Sequence, residues 1–440
     1  MMNKKFLYTL LVSSIANFTF AQDFNKSKLD AYFTSLEQNN KFLGSIAVAE
    51  NGKIIYTKSI GFSDVENQIK ASDDTKYRIG SISKTFTSVL VFKAIEEGKL
   101  NLDQAIHKWF PDIKNSEKIT IANLLNHRSG IHSFTSNKDY FDWNTQAKTE
   151  EEILDIITKG GSDFIPNEKA DYSNSNYVLL TFILEKTYQK SYPELISKYI
   201  TKPLNLVNTK FAEKINSTNN EAKSYQFIGE WRLEKETHPS IPLGAGAIIS
   251  TPTDIVKFSN ALFNEKIINK KSLDKMKEIT DGYAYGLFQI PFYDKIGYGH
   301  TGGIDGFTSV FSYFQDGNIS YALTSNGTNY NNNNISLAVL SAVYNKEYEI
   351  PTFSYFEHSE SELNEFLGTY SSKDIPLKIT ITKDQKTLLA QATGQPAFPL
   401  ESTEKNKFKF EQANLKIEFN TNDKTLILNQ NNAKYIFIKE

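Results

Sequence analysis

Cysteine is absent from this 440-residue sequence. Its absence excludes a thiol nucleophile, a disulfide framework and a zinc site with cysteine ligands. It also excludes the acylated cysteine that would anchor a bacterial lipoprotein. We therefore expect a protein that is held together by its hydrophobic core alone.

An excess of charge of either sign is also lacking. The sequence has 49 Lys and Arg residues against 51 Asp and Glu residues, for a formal net charge of −2. That balance gives no reason to expect a nucleic acid or an anionic membrane as a partner. The six histidines are scattered and form no HExxH motif, so we expect no metal and no cofactor. The predicted partner is a small-molecule or peptide substrate.

No apolar run reaches the length of a membrane span, but the N-terminus has the pattern of a signal peptide. Two lysines precede an apolar segment at 6–16, and Ala21 offers a small residue for cleavage before Gln22. Asn17 interrupts the apolar run, whereas a membrane span needs about 20 apolar residues. We expect residues 1–21 to be removed and the mature chain to be periplasmic or secreted, with no stable membrane insertion.

A hairpin and a helix are predicted near the start of the mature chain. In segment 44–64 two apolar-rich runs flank Asn51-Gly52, a pair that readily takes the positive φ angles of a tight turn. Apolar residues of segment 78–100 recur with helical spacing, and Gly98 stands where such a helix should end.

The rest of the large N-terminal part alternates between helical and strand patterns. Helices are predicted at 119–131, 149–160, 175–190 and 335–350, and strands from residue 281 onward. Strand patterns at both ends of this part suggest that its terminal segments share one sheet. We therefore predict an α+β domain over residues 22–350, in which helices flank an antiparallel sheet and a helical subdomain is added.

Residues 360–440 have a different pattern. Short runs of alternating apolar and polar residues are separated by Asn, Asp and Lys turns, as in a small antiparallel sheet or barrel. Residues 351–359, which begin at Pro351, form the predicted linker to this small all-β domain.

Ser81 and Lys84 are the first candidates for chemistry, because residues three apart face the same side of a helix. A serine hydroxyl needs an adjacent base, and lysine can act as that base only when burial or a nearby positive charge keeps it neutral. The first turn of the helix would also favour a developing negative charge. By itself, however, the pair more often belongs to a capped helix with a surface lysine.

Two further segments carry polar groups suited to a substrate cleft. Tyr172 and Asn174 stand just before a predicted helix, where a turn with an ordinary N-cap is the simpler interpretation. Segment 297–307 contains G-x-G-x-x-G, but no helix follows it, so a dinucleotide site is excluded. Its glycines instead suit a strand that another group approaches closely.

Together, the three segments resemble a serine hydrolase family that comprises class C β-lactamases, penicillin-binding D,D-peptidases and related esterases. That family carries S-x-x-K, Y-x-N and K/H-T-G in this order. Here the three motifs are Ser81-Ile-Ser-Lys84, Tyr172-Ser-Asn174 and His300-Thr301-Gly302. The flanks "LLNHRSGI", "AGAIISTPTDIVKF" and "HTGGIDGF" are similar as well, and the resemblance covers roughly residues 30–345.

The resemblance implies roles for these residues. Ser81 would be the acylated nucleophile, and Lys84 and Tyr172 would share the proton transfers. Asn174 would orient the substrate, while His300, Thr301 and Gly302 would border the cleft. The backbone N–H groups of Ser81 and Gly303 would form the oxyanion hole.

The third motif departs from the lysine found in many β-lactamases and D,D-peptidases. His300 is expected to be mostly neutral near pH 7, so it attracts a substrate carboxylate poorly. We therefore expect a hydrolase for D-amino-acid peptides or small esters. Two alternatives stay open: a carboxylesterase with no role in the cell wall, and a penicillin-sensor-like protein that is acylated without turnover. Segments 132–150 and 211–240 are expected to shape the cleft.

Overall fold

The computed structural model describes residues 25–440, so the predicted signal peptide lies outside the described range. Eleven α-helices form in this range: α1 Lys26–Gln38, α2 Ser83–Glu96, α3 Ile121–Leu125, α4 Tyr140–Trp143, α5 Glu150–Gly160, α6 Asn174–Tyr188, α7 Tyr192–Ile196, α8 Pro252–Phe263, α9 Lys270–Lys277, α10 Asn332–Val343 and α11 Glu360–Leu363. Over these residues, every helix is too short or too polar to cross a bilayer.

Thirteen strands precede the C-terminal part: β1 Phe42–Glu50, β2 Lys53–Ile60, β3 Phe62–Asp64, β4 Ile69–Lys70, β5 Tyr77–Arg78, β6 Lys210–Phe211, β7 Tyr225–Ile228, β8 Glu230–Leu233, β9 Ile248–Ser250, β10 Phe288–Phe292, β11 Lys295–Ile304, β12 Phe307–Phe314 and β13 Ile319–Thr328. Six of them form one antiparallel sheet in the order β10-β11-β12-β13-β1-β2. The β1–β2 turn is the predicted hairpin, with positive φ at Asn51 and Gly52.

The expectation that distant segments share a sheet is confirmed, because β1 pairs with β13. Strand β1 lies between β13 and the edge strand β2 and is buried on both faces. Successive side chains point to opposite faces, so Ala47 packs into the core on the α2 side while Ile46 and Val48 pack toward α1 and α10. The sheet is thus a central layer between two sets of helices, and the predicted α+β class is correct.

Helix α2 is more deeply buried than the sequence suggested. Its residues from Ser83 to Phe92 are all buried, because the sheet covers one side and the helical subdomain around α6 covers the other. Three polar hydroxyls on this helix, those of Thr85, Thr87 and Ser88, accordingly find buried hydrogen-bond partners. Lys84, the second residue of α2, is therefore an interior group.

The C-terminal part forms a closed eight-stranded barrel, as the all-β prediction anticipated. Its strands are β14 Gly368–Ser371, β15 Lys378–Asp384, β16 Thr387–Ala392, β17 Phe398–Glu404, β18 Lys407–Phe410, β19 Leu415–Asn420, β20 Thr425–Gln430 and β21 Ala433–Lys439. Pairing of β14 with β21 closes the barrel around its own hydrophobic core. The barrel contacts the larger part through two ion pairs, Lys41–Glu401 and Arg232–Asp384. In the second pair, Arg232 Nη2 also donates a hydrogen bond to Asp384 Oδ1 over 3.2 Å.

Candidate active site

Lys84 is the centre of a polar network that joins the first two motifs. Its side chain is completely buried, and its Nζ lies 3.0 Å from Ser81 Oγ. The same nitrogen lies 2.7 Å from Asn174 Oδ1 and 2.8 Å from the carbonyl oxygen of Ala245. The fold therefore brings together a hydroxyl, an amine and a carboxamide that are up to 93 residues apart in the sequence.

Burial lowers the pKa of Lys84 well below its ordinary value. Within residues 25–440 no carboxylate forms an ion pair with it, so nothing nearby compensates for the lost hydration of an ammonium. A neutral amine has two N–H donors and one lone pair. The oxygens of Asn174 and Ala245 can accept both donors, which leaves the lone pair for the Ser81 hydroxyl. This arrangement suits a base that removes the serine proton.

The backbone just before Ser81 packs closely against the backbone of β11 at Gly303. Ser81 itself occupies the short 3₁₀ turn Gly80–Ile82, so α2 begins two residues later than the predicted first turn at Ser81. Gly80 has a φ of +49°, and a Cβ placed on it would lie 2.7 Å from the backbone nitrogen of Gly303. Glycine is required here both for the left-handed backbone and for this contact. The backbones at 81 and 303 consequently border the same cleft.

Tyr172 completes the group around the serine. Lys84 Nζ lies 4.8 Å from the centre of the phenol ring. Burial raises the pKa of Tyr172, and its hydrogen bond with Ser81 acts in the opposite direction without reversing the shift. The phenol therefore stays protonated at neutral pH and can donate a proton. The pKa values of the two groups beside Ser81 are thus shifted in opposite directions, with that of Lys84 lowered and that of Tyr172 raised.

Asn174 is the first residue of α6 and is held in one orientation. Its Nδ2 donates to Thr135 Oγ1 over 2.9 Å, and its backbone N–H donates to Ser133 Oγ over 3.1 Å. Its Oδ1 then faces Lys84, so the amide is fixed by contacts on both ends. The side chain also lines the cleft, where it can meet a substrate.

The third motif is placed differently from the expectation. Side chains alternate along β11, so Thr301 is exposed while His300 is only 2% exposed and packs against Phe288, with ring centres 4.6 Å apart. Gly302 packs against the carbonyl of Ile79. Of the four residues 300–303, Gly303 is the one that lines the cleft.

His300 is a neutral buried group. Burial, with a smaller effect from Lys84, lowers its pKa to about 3. Its Nδ1 lies 2.5 Å from the carbonyl oxygen of Thr301, so the ring donates a hydrogen bond to that oxygen. The predicted neutral state is therefore correct, although the ring lies behind the cleft and not on its wall.

The cleft above Ser81 has a volume of about 770 Å³. Both segments expected to shape it contribute: Phe134, Tyr140, Phe141 and Asn144 come from the first, and Glu234, Lys235 and Thr237 from the second. Pro396, from the turn between β16 and β17 of the barrel, also lines it. The barrel thus supplies part of one wall.

His127 is a second residue that sequence reasoning missed as part of this site. It stands in the flank "LLNHRSGI", but no spacing connects it to Tyr172. In the structure the two rings pack against each other at a tilt of 30°, with centres 4.3 Å apart. A neutral buried histidine against a site tyrosine leaves no pattern in a single sequence.

Comparisons with known proteins show the family of this chain. A profile of the beta-lactamase family matches residues 29–345. A teichoic acid D-alanine hydrolase from Staphylococcus aureus (strain MRSA252) is 31% identical over 305 residues, which cover 67% of this chain and 72% of that one.

Two solved structures are similar in fold and sequence. A D-amino acid amidase from Ochrobactrum anthropi is 26% identical with a TM-score of 0.64, over 72% of this chain and 99% of that one. The octameric penicillin-binding protein homologue from Pyrococcus abyssi is also 26% identical with a TM-score of 0.64, and it covers 94% of this chain and 100% of its own.

The family match spans most of the chain, and Ser81, Lys84 and Tyr172 of its first two motifs lie together. This protein belongs to the beta-lactamase family of serine hydrolases.

Proposed function

We propose that this chain is an exported hydrolase that releases D-amino acids from esters or amides through an acyl-enzyme on Ser81. The observation that carries the proposal is the 3.0 Å distance between Ser81 Oγ and Nζ of the completely buried Lys84, whose pKa is lowered by that burial. The similarity to a D-alanine hydrolase and a D-amino acid amidase supports the D configuration of the substrate. Export rests on the signal-peptide pattern of residues 1–21.

Acylation begins when Ser81 Oγ attacks the carbonyl carbon of the substrate. Lys84 takes the serine proton, and the carbonyl oxygen becomes negative. The backbone N–H groups of Ser81 and Gly303 stabilise that oxygen, an interaction that is typically worth about 10²-fold or more in rate for each donor. The bond to the leaving group then breaks as Tyr172 protonates the departing oxygen or nitrogen and recovers a proton from Lys84.

Deacylation repeats the chemistry with water. A water molecule loses one proton, which Tyr172 relays to Lys84, while the water oxygen attacks the ester carbonyl. The bond between that carbonyl carbon and Ser81 Oγ breaks, the serine regains its proton, and a free D-amino acid is released. Lys84 returns to the neutral state in which it started.

The electrostatics of the third motif favour a substrate without a carboxylate beside the cleaved bond. A lysine at position 300 would attract such a group, whereas the neutral, buried His300 does not. The carboxyl group of Glu234 lines the same cleft and suits a substrate that carries an ammonium. Asp305 also borders the cleft, but its carboxylate is already bound by Thr237 and Arg78, and Lys235 adds a positive charge to the lining. D-Aminoacyl esters and amides meet both conditions, whereas β-lactams carry the carboxylate.

The test compares hydrolysis of D-alanine p-nitroanilide and L-alanine p-nitroanilide by the mature chain and by Ser81→Ala. We expect kcat/KM for the D enantiomer to exceed that for the L enantiomer by at least about tenfold, a difference of about 1.4 kcal/mol. The serine variant should be inactive on both. Turnover that survives in Ser81→Ala, or a preference for the L enantiomer, would overturn the proposal.

Two control substrates separate the alternatives. Rapid hydrolysis of p-nitrophenyl acetate with inert D-alanine substrates would identify a carboxylesterase. A persistent mass adduct after exposure to penicillin, without later turnover of any substrate, would identify a sensor-like protein.

A further inference from the structure

His127 is buried behind the catalytic group and makes three contacts with the consecutive residues 171–173, at the start of the second motif. Its carbonyl oxygen accepts a hydrogen bond from the Asp171 N–H over 2.9 Å. Its Nδ1 accepts one from the Ser173 N–H over 3.1 Å. Between these two bonds, its ring packs on that of Tyr172, with centres 4.3 Å apart and planes at 30°. One residue thus holds the backbone on both sides of Tyr172 and the face of its ring.

The backbone of His127 is in an unusual conformation. Its φ is +60°, in the left-handed region that residues with a Cβ seldom occupy. At this residue the chain turns away from the axis of α3. Both the carbonyl group and the side chain of His127 therefore face segment 171–173. Strained backbone of this kind persists where surrounding contacts hold it, and it is concentrated at functional sites.

The histidine ring is an acceptor at Nδ1, so it contributes as a neutral group. Burial, together with the nearby Lys84 and His300, lowers its pKa well below the ordinary value. Tyr177 and Tyr283 pack against its other sides, with ring centres at 5.4 and 5.3 Å. The ring is therefore enclosed by aromatic neighbours and does not reach the cleft itself.

We propose that His127 is a positioning residue for the reaction: it fixes the Tyr172 phenol against Ser81 through the two backbone bonds and the ring contact. This inference rests on the role proposed above for Tyr172. The reaction rate depends strongly on where the acid lies, because a displacement of a reacting group by about 1 Å can lower the rate on the order of 10²-fold.

Two substitutions separate the contacts. His127→Asn keeps an acceptor atom at the position of Nδ1, suits a left-handed backbone, and removes the ring contact. His127→Phe keeps a ring but leaves the buried Ser173 N–H without its acceptor. Each is made alone and in a Tyr172→Phe background, and thermal unfolding and circular dichroism establish that each variant is folded.

The decisive readout is the acylation rate on two D-alanine substrates with different leaving groups. The p-nitroanilide must be protonated as it departs, whereas p-nitrophenolate leaves an ester without a proton. We expect His127→Asn to slow acylation by the anilide at least about tenfold, with KM within about threefold, and to affect the ester much less. In the Tyr172→Phe background the same substitution should change the rate less than about twofold, because it acts through Tyr172.

Other outcomes are equally clear. Equal losses on both substrates, or losses that multiply in the double variant, would show that His127 acts independently of Tyr172 and would overturn the inference. If His127→Asn does not fold, the same cycle with His127→Phe decides. Full activity of Tyr172→Phe would instead contradict the proposed role of Tyr172, so the two failures are distinguishable.

Discussion

Gly80→Ala is the substitution that tests most directly whether the backbone beside Ser81 forms the oxyanion hole. Gly80 has a φ of +49°, and the added methyl group would lie 2.7 Å from the nitrogen and 2.9 Å from the carbonyl carbon and oxygen of Gly303. All three neighbours are backbone atoms, so no side-chain rotation can relieve the overlap. The strand at 303 and the turn at 80–82 must move apart.

The size of the effect follows from these two costs. The left-handed backbone costs an L-residue about 1–2 kcal/mol, and forcing extra volume into a packed site typically costs about 1–3 kcal/mol more. We therefore expect the free energy of unfolding to fall by about 2–5 kcal/mol in total. The same movement separates the N–H groups of Ser81 and Gly303, and loss of one such donor lowers kcat by about 10²- to 10³-fold.

Gly98→Ala is the matched control. Gly98 follows the other end of α2 with a φ of +69°, but no atom lies within 4 Å of a Cβ placed there. This variant should lose only about 1–2 kcal/mol of stability and keep its kcat. Urea unfolding measures the first quantity, and burst kinetics with a D-alanine ester measure the second. A Gly80→Ala variant that is folded and keeps kcat within threefold of the parent would refute the assignment of Gly303 as an oxyanion donor.

The elements that sequence reasoning predicted well are those with local signals. Asn51-Gly52 requires positive φ at two successive positions, which a short turn between strands supplies. Thr149 and Glu152 form a capping box at the start of α5, so that helix begins where its acidic first turn indicated. The spacing of Ser81 and Lys84 likewise determines that they meet on one turn.

Other boundaries depend on distant contacts. Helix α3 was expected to continue toward Ser129-Gly130, yet it ends at Leu125. The cause is the left-handed conformation at His127, which is held by segment 171–173 and so lies outside any local window. Histidine gives no helix-stop signal comparable to that of glycine.

The chemistry of the site was predictable in its residue types but not in its electrostatics. A lysine three residues after a serine is ordinarily a surface group, and only enclosure of α2 by the sheet and α6 makes it neutral. The same burial explains the displaced role of His300, since the sequence does not reveal which face of β11 is covered. Pro396 follows Ser81 by more than 300 residues in the sequence. It lines the cleft because the barrel packs beside the larger part.

Two further predictions follow from burial of Lys84 and from the barrel wall. Because the folded-state pKa of Lys84 is lowered, the unfolded chain binds an additional proton below about pH 10.4. The unfolding free energy of the parent should therefore fall, relative to that of Lys84→Met, as pH decreases from 10.5 to 8; parallel curves in urea titrations at several pH values would contradict the lowered pKa. The barrel prediction concerns Pro396, which narrows the cleft at the turn after β16. Replacement of residues 393–396 by a shorter Gly-containing turn removes that contact while the barrel core and the Arg232–Asp384 pair stay in place. We expect kcat/KM for a D-alanyl ester with a bulky alcohol to rise at least about threefold, a change of roughly 0.7 kcal/mol, while kcat/KM for the methyl ester stays constant. Equal changes for both esters would show that the turn does not select substrates by size, because a wall can discriminate only against groups large enough to reach it.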